Sequence, residues 1–141
     1  MSKNFLAPHL FSASLLLAAS VAAPVAAETT TLVCKVSNTK EKGWITPEYH
    51  FRYTDGKIDA LVLDPLTAYV NDGEPSQAKL VANNDRRATF DWVVDTVSGS
   101  GQTVRMVYSA TYKKTNDKFK VVARPRDYKN SFSRSGTCER R

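Results

Sequence analysis

Two periodicities divide the chain. Over residues 10–19 the apolar side chains run without interruption by charge, whereas from Thr30 onward they recur at every second position. A period of two places alternate side chains on opposite faces and is the signature of a β-strand. Residues 30–37, rich in β-branched side chains, predict the first strand. A loop over residues 40–47 follows, and then Tyr49, Phe51 and Tyr53 alternate with His50, Arg52 and Thr54. Asp55-Gly56 is a strong hairpin signal because both turn positions require positive φ. Residues 58–64 return as a strand stopped by Pro65, and residues 67–70 read as another short strand ended by Asn71-Asp72-Gly73. Further strands are expected over residues 77–82, around Phe90, Trp92 and Val94, and along Val104, Met106, Tyr108, Ala110 and Tyr112. After Asn116-Asp117 the alternation resumes at Phe119, Val121 and Ala123 until Pro125, and residues 136–139 make a short closing strand. No segment after residue 27 has the 3.6-residue spacing of an amphipathic helix.

Seven to eight short strands joined by hairpin-like turns predict an all-β domain, a small antiparallel meander barrel. A two-sheet β-sandwich is the alternative. Cys34 lies in the first strand and Cys138 three residues from the end. As the only two cysteines of a chain expected to be exported, they predict a disulfide joining the first and last strands. No metal site is expected, since two sulfurs without a nearby histidine make a poor zinc site.

The uncharged run over residues 10–19, broken only by Ser12 and Ser14, changes the picture of where the protein acts. Lys3 provides a positive start, and Ala-Pro-Val-Ala-Ala at residues 23–27 provides the small residues of a cleavage site. Together these predict a signal peptide over residues 1–27, cut after Ala27. The run is shorter than the roughly 20 apolar residues of a spanning helix, so no membrane span remains after cleavage. Residues 28–141 then form a single domain, periplasmic or secreted.

Charge is unevenly spread. Residues 28–112 carry nine basic and eleven acidic side chains, whereas residues 113–141 carry ten basic and three acidic. Such asymmetry marks a surface suited to an anionic partner. Arg124, Arg126, Lys129 and Arg134 interleave with Tyr128 and Phe132, a pattern that suits phosphate-rich or otherwise anionic polymers. Tyr128 and Phe132 could equally pack down as anchors of a long loop. For an exported chain the anions at hand are envelope polymers or acidic proteins, and no nucleic acid is expected. Trp44, in a loop-like stretch, either anchors a partner or plugs one end of the barrel.

Catalytic chemistry is thinly supplied. His50 is the only histidine after residue 27, so neither a hydrolase triad nor a two-histidine metal site can be assembled. The turn acids Asp55, Asp72, Asp85 and Asp117 are explained by turn geometry. The protein is therefore not expected to be an enzyme, and no cofactor is expected.

The order of features resembles the small exported bacterial inhibitors of c-type lysozyme, the MliC/PliC type. The resemblance lies in the signal, the cysteine of the first strand with its mate near the C-terminus, and the run of short strands between. It implies a compact eight-stranded barrel. Ser98-Gly99-Ser100-Gly101 is similar to the Ser-x-Ser-Gly loop that family uses against the lysozyme cleft, which implies Ser98, Ser100 and Gly101 as contact residues. The chain is otherwise like uncharacterised exported bacterial proteins of this size. The functional expectation is a non-catalytic exported binding protein, presenting loops or a basic C-terminal segment to an envelope polymer or protein. The alternatives are a lysozyme inhibitor and a carrier of a small apolar ligand in the barrel lumen.

Overall fold

The computed structural model describes residues 19–38 and 43–141. Most of the expected signal segment, and Lys40 to Lys42 of the expected loop, lie outside the described residues. Residues 19–28 lead without regular structure into an eight-stranded antiparallel barrel. Its strands are β1 (Thr29–Val36), β2 (Glu48–Thr54), β3 (Asp59–Leu63), β4 (Ser76–Asn83), β5 (Arg87–Val97), β6 (Thr103–Lys113), β7 (Lys118–Pro125) and β8 (Phe132–Arg140). Each strand pairs with the next, and β8 pairs back onto β1, so the meander is closed. Closure removes the unpaired edges that an open sheet exposes. The barrel, rather than the sandwich, is the architecture.

The alternation read from the sequence is the alternation of the barrel wall. Tyr49, Phe51 and Tyr53 of β2, Phe90 and Trp92 of β5, Tyr108 and Tyr112 of β6 and Phe119 of β7 all point inward and are buried. Phe51 stacks on Phe90 with centroids 4.4 Å apart, and Trp92 lies nearly parallel to Tyr108 at 5.0 Å. An eight-stranded barrel is just wide enough for side chains to fill, and here aromatic rings fill it.

Cys34 and Cys138 are a directly opposed pair on the β1–β8 seam and form the disulfide, with Cα atoms 3.9 Å apart. The seam is close elsewhere too. A Cβ placed on Gly136 would lie 1.9 Å from the Lys35 carbonyl oxygen, so only glycine fits where β8 crosses β1.

Two elements differ from the sequence reading. The expected strand over residues 67–70 is instead part of a short helix, α1 (Pro65–Val70). Asp64 caps it: its carboxylate accepts from the Leu66 and Thr67 amides, while the Thr67 hydroxyl accepts from the Asp64 amide at 2.8 Å. With Pro65 in the first turn, this reciprocal cap outweighs the strand preference of Thr67, Tyr69 and Val70. The closing strand is also longer than residues 136–139, beginning at Phe132. Its first residues pair with β7 alone, because β1 ends at Val36, opposite Gly136.

Candidate functional site

In an up-and-down barrel every second connection falls at the same end. The β1–β2 loop, the α1 segment, the β5–β6 turn and the β7–β8 loop therefore share one rim, hereafter the upper rim. Trp44, Ser98, Ser100, Gly101, Arg126, Tyr128 and Lys129 all lie in those connections. Arg124, Phe132 and Arg134 lie at the adjoining ends of β7 and β8. Residues spread over ninety positions are thus gathered at one end of the molecule by topology alone.

Within that rim their environments diverge. Trp44 is partly buried against the core, and its carbonyl oxygen accepts the Tyr108 hydroxyl at 2.7 Å. It closes the lumen together with Ile45 and Thr46, which are buried. A linked set of hydrogen bonds holds this closure. The Thr46 hydroxyl donates to Asp64 Oδ2 at 2.7 Å, tying the β1–β2 loop to the cap of α1, and the Thr46 amide donates to the Tyr49 hydroxyl at 3.1 Å. Burial pushes the Tyr49 phenol up to about 12, opposed in part by its bond with Thr46. Burial pushes Tyr108 higher still, with the charges of Tyr49 and Asp64 adding to the effect.

The β5–β6 turn is the tip of the longest hairpin. The Ser98 and Ser100 hydroxyls bond to each other at 2.9 Å, and Ser98 Oγ also accepts the Gln102 amide at 3.2 Å. Gly101 adopts φ 83°, a left-handed conformation that closes the turn. Ser100 and Gly101 are exposed, and Ser98 is partly so.

The basic segment does not form one face. Arg124 lies on the outer wall of β7, opposite Val107 of β6. Phe132 and Arg134 are register partners of the inward residues Ala123 and Val121, so they share the inner face. They remain exposed because β8 runs beyond its pairing with β1 there. Neither aromatic anchors the loop in the core: Tyr128 is 60% exposed and Phe132 is 37% exposed. Arg126 is held by its amide, which donates to the Arg105 carbonyl at 2.9 Å. Arg105 makes a two-pronged pair with Asp95 at 2.7 and 2.8 Å. That hydrogen bond, with the neighbouring charges of Arg105 and Arg126, holds the Asp95 carboxyl below its ordinary range. The rim therefore mixes one neutralised pair with the exposed cations Arg124, Arg126, Lys129 and Arg134.

His50 sits on the outer wall, partly exposed, with Nε2 2.5 Å from Glu48 Oε1. Among the described residues no three His, Cys, Asp or Glu side chains cluster as metal ligands would, and no helix is long and apolar enough to cross a membrane. The disulfide itself belongs to an oxidising environment outside the cytoplasm.

A second charged surface escaped the sequence reading. On the outer wall, away from the rim, Arg87, Lys113 and Lys118 stand opposite one another across β5, β6 and β7. Lys113, Lys118 and Lys120 line a cleft of about 280 Å³ with Thr111, Phe119, Ser135 and Gly136. Comparison of the chain with protein-family models, with curated proteins and with solved structures finds no match in any of the three.

Proposed function

We propose that this protein is an exported, non-catalytic binding module that uses the upper rim of a disulfide-closed barrel to hold an anionic envelope polymer or an acidic protein. The observation that carries the reading is the convergence of Trp44, the Ser98–Ser100 turn and the Arg124 to Arg134 segment on one rim. An exposed aromatic beside unpaired cations is a combination enriched in recognition surfaces, and Tyr128 stands between Arg126 and Lys129. The lumen stacked with aromatic rings supports a function on the outside rather than a carried ligand. The single outer-wall histidine, paired with Glu48, supports recognition rather than catalysis. The signal reading of residues 1–27, joined to the disulfide, supports the periplasm or the exterior as the place of action.

Retention of the oxidised protein on an immobilised polyanion tests this. Changing Arg126, Lys129 and Arg134 together to Gln is expected to move elution to markedly lower salt, because every cation withdrawn from the anion lowers the slope of affinity against salt by about one charge. Unchanged elution would count against the rim.

The exposed tip at Ser98 to Gly101 favours a second reading, inhibition of lysozyme by insertion of this turn. Inhibition of c-type lysozyme that disappears when Ser98 and Ser100 are both changed to bulky residues would establish it. Absence of inhibition by the wild-type protein would remove it.

A further inference from the structure

The outer wall obeys the rule of cross-strand charge pairing on one side and breaks it on the other. Around β3 to β6 the charges are complementary: Lys79 faces Asp59 and Asp91, and Asp95 faces Arg105. Across β5, β6 and β7 the row is Arg87, Lys113, Lys118, all exposed. Directly opposed like charges destabilise a sheet, and here three stand side by side over about 10 Å at the usual strand spacing. Lys120 follows Lys118 on the same face, about 7 Å along the strand. Among the described residues none of these four cations forms an ion pair. The acids of the adjoining turns are Asp85 and Asp117, and Asp117 is occupied by the Tyr112 hydroxyl.

We infer that this row is a binding site for the anionic groups of an acidic glycan, with Lys113, Lys118 and Lys120 around the cleft and Arg87 extending it. Three unpaired cations around a cleft, with a fourth beside them, create the field that an anion would cancel, and a rule broken without internal compensation is the mark of a functional surface. The cleft of about 280 Å³ lies just below the roughly 300–1,000 Å³ of sites for drug-sized ligands. It therefore takes one charged sugar unit of a chain lying across the wall. Of the two hydroxyl residues that line it, Thr111 is already bonded to the Thr89 hydroxyl at 3.1 Å, which leaves Ser135 as the one suited to a sugar hydroxyl. Single-stranded nucleic acid would require exposed aromatic rings for base stacking, and the only aromatic residue lining this cleft, Phe119, turns its ring into the core against Tyr49 and Phe51. The site rests on the export reading for its ligand class but not on the upper rim.

The test is a titration of the isotope-labelled oxidised protein with polygalacturonate, with phosphorylated dextran and with an oligothymidylate, followed by amide shifts. Either glycan is expected to perturb the amides around Lys113, Lys118, Lys120 and Ser135, and the stronger of the two identifies carboxylate or phosphate as the preferred group. Changing Lys113, Lys118 and Lys120 to Gln is expected to weaken binding at least tenfold while raising the melting temperature at low salt, as the like-charge row is relieved. The Arg126, Lys129 and Arg134 variant is expected to leave these shifts in place. Tighter binding of the oligothymidylate, shifts confined to the rim, or unchanged affinity in the lysine variant would each overturn the inference. Shifts confined to the rim would do so while sparing the rim reading.

Discussion

Reducing the Cys34–Cys138 bond without changing any residue isolates what the cross-link contributes. The bond spans a sequence separation of 104 residues, and in the chain-entropy model a loop of that length stabilises the fold by about 4.7 kcal/mol at 25 °C. Reduction removes no heavy atom, so the cost of a cavity does not enter, and the two thiols need only rotate apart to non-bonded contact. The seam keeps its backbone bonds, among them the Arg141 amide to the Thr31 carbonyl at 2.8 Å and the Ser37 amide to the Ser135 carbonyl at 2.9 Å. The barrel should therefore stay closed while the unfolded chain gains freedom. For the residues of the barrel, Thr29 to Arg141, the unfolding entropy is about 0.24 kcal/mol/K, so the melting temperature should drop by about 20 °C. Urea unfolding with and without reductant, followed by tryptophan fluorescence, gives the free energy, and hydrogen exchange of the reduced protein reports on β8. A loss below about 1 kcal/mol would refute the reasoning. So would a full loss accompanied by vanished protection along Phe132–Arg140, because the effect would then reside in a damaged native seam and not in the unfolded chain.

Two further predictions concern the same scaffold. Gly136→Ala should destabilise by at least the roughly 1–3 kcal/mol typical of overpacking, because the added methyl meets the Lys35 carbonyl, which no rotamer change can move. Gly99→Ala, with nothing within 4 Å, is the neutral control in the same urea titration. Stability should hold steady up to about pH 10 and then decline. The phenols of Tyr49 and Tyr108 keep their protons in the fold above the pH at which the unfolded chain loses them. Each therefore removes about 1.4 kcal/mol per pH unit beyond 10, until its folded value is passed, at about 12 for Tyr49. Urea midpoints at about pH 9, 10 and 11 check this, and a flat profile would show that these rings ionise freely.

The strands were legible because in a filled barrel burial and strand period coincide: Tyr49, Phe51 and Tyr53 face the lumen while His50 and Arg52 face water. The disulfide was legible from the cysteine count, read together with the expectation of export. Helix α1 was not, since six residues are too few to display a period of 3.6 and its composition favours strand. Its one available signal was the cap, Asp64-Pro65 with Thr67 three residues on. The upper half of β8 was missed because Ser133, Arg134 and Ser135 are polar on both faces, having no β1 opposite them to bury one.

The candidate residues of the rim were each visible as residues, but their assembly depended on connection parity. The lysine row depended on register, which composition does not carry. Once the Asn116-Asp117 turn is known to align Lys113 with Lys118, the row follows. The excess of positive charge after residue 112 could have been diluted had its strands been dispersed around the barrel. Instead, residues 118–140 form a single hairpin, β7 with β8, that runs along β6 from Met106 to Lys113. Asymmetry along the chain thus becomes asymmetry in space, and the positive wall rises from Lys118 and Lys120 past Arg124 to Arg126 at the rim. A long polyanion could touch the cleft and the rim together, whereas a short one could occupy only the cleft. Affinity that grows steeply with glycan length, and falls to the short-chain value when Arg126, Lys129 and Arg134 are neutralised, is what a joined surface requires.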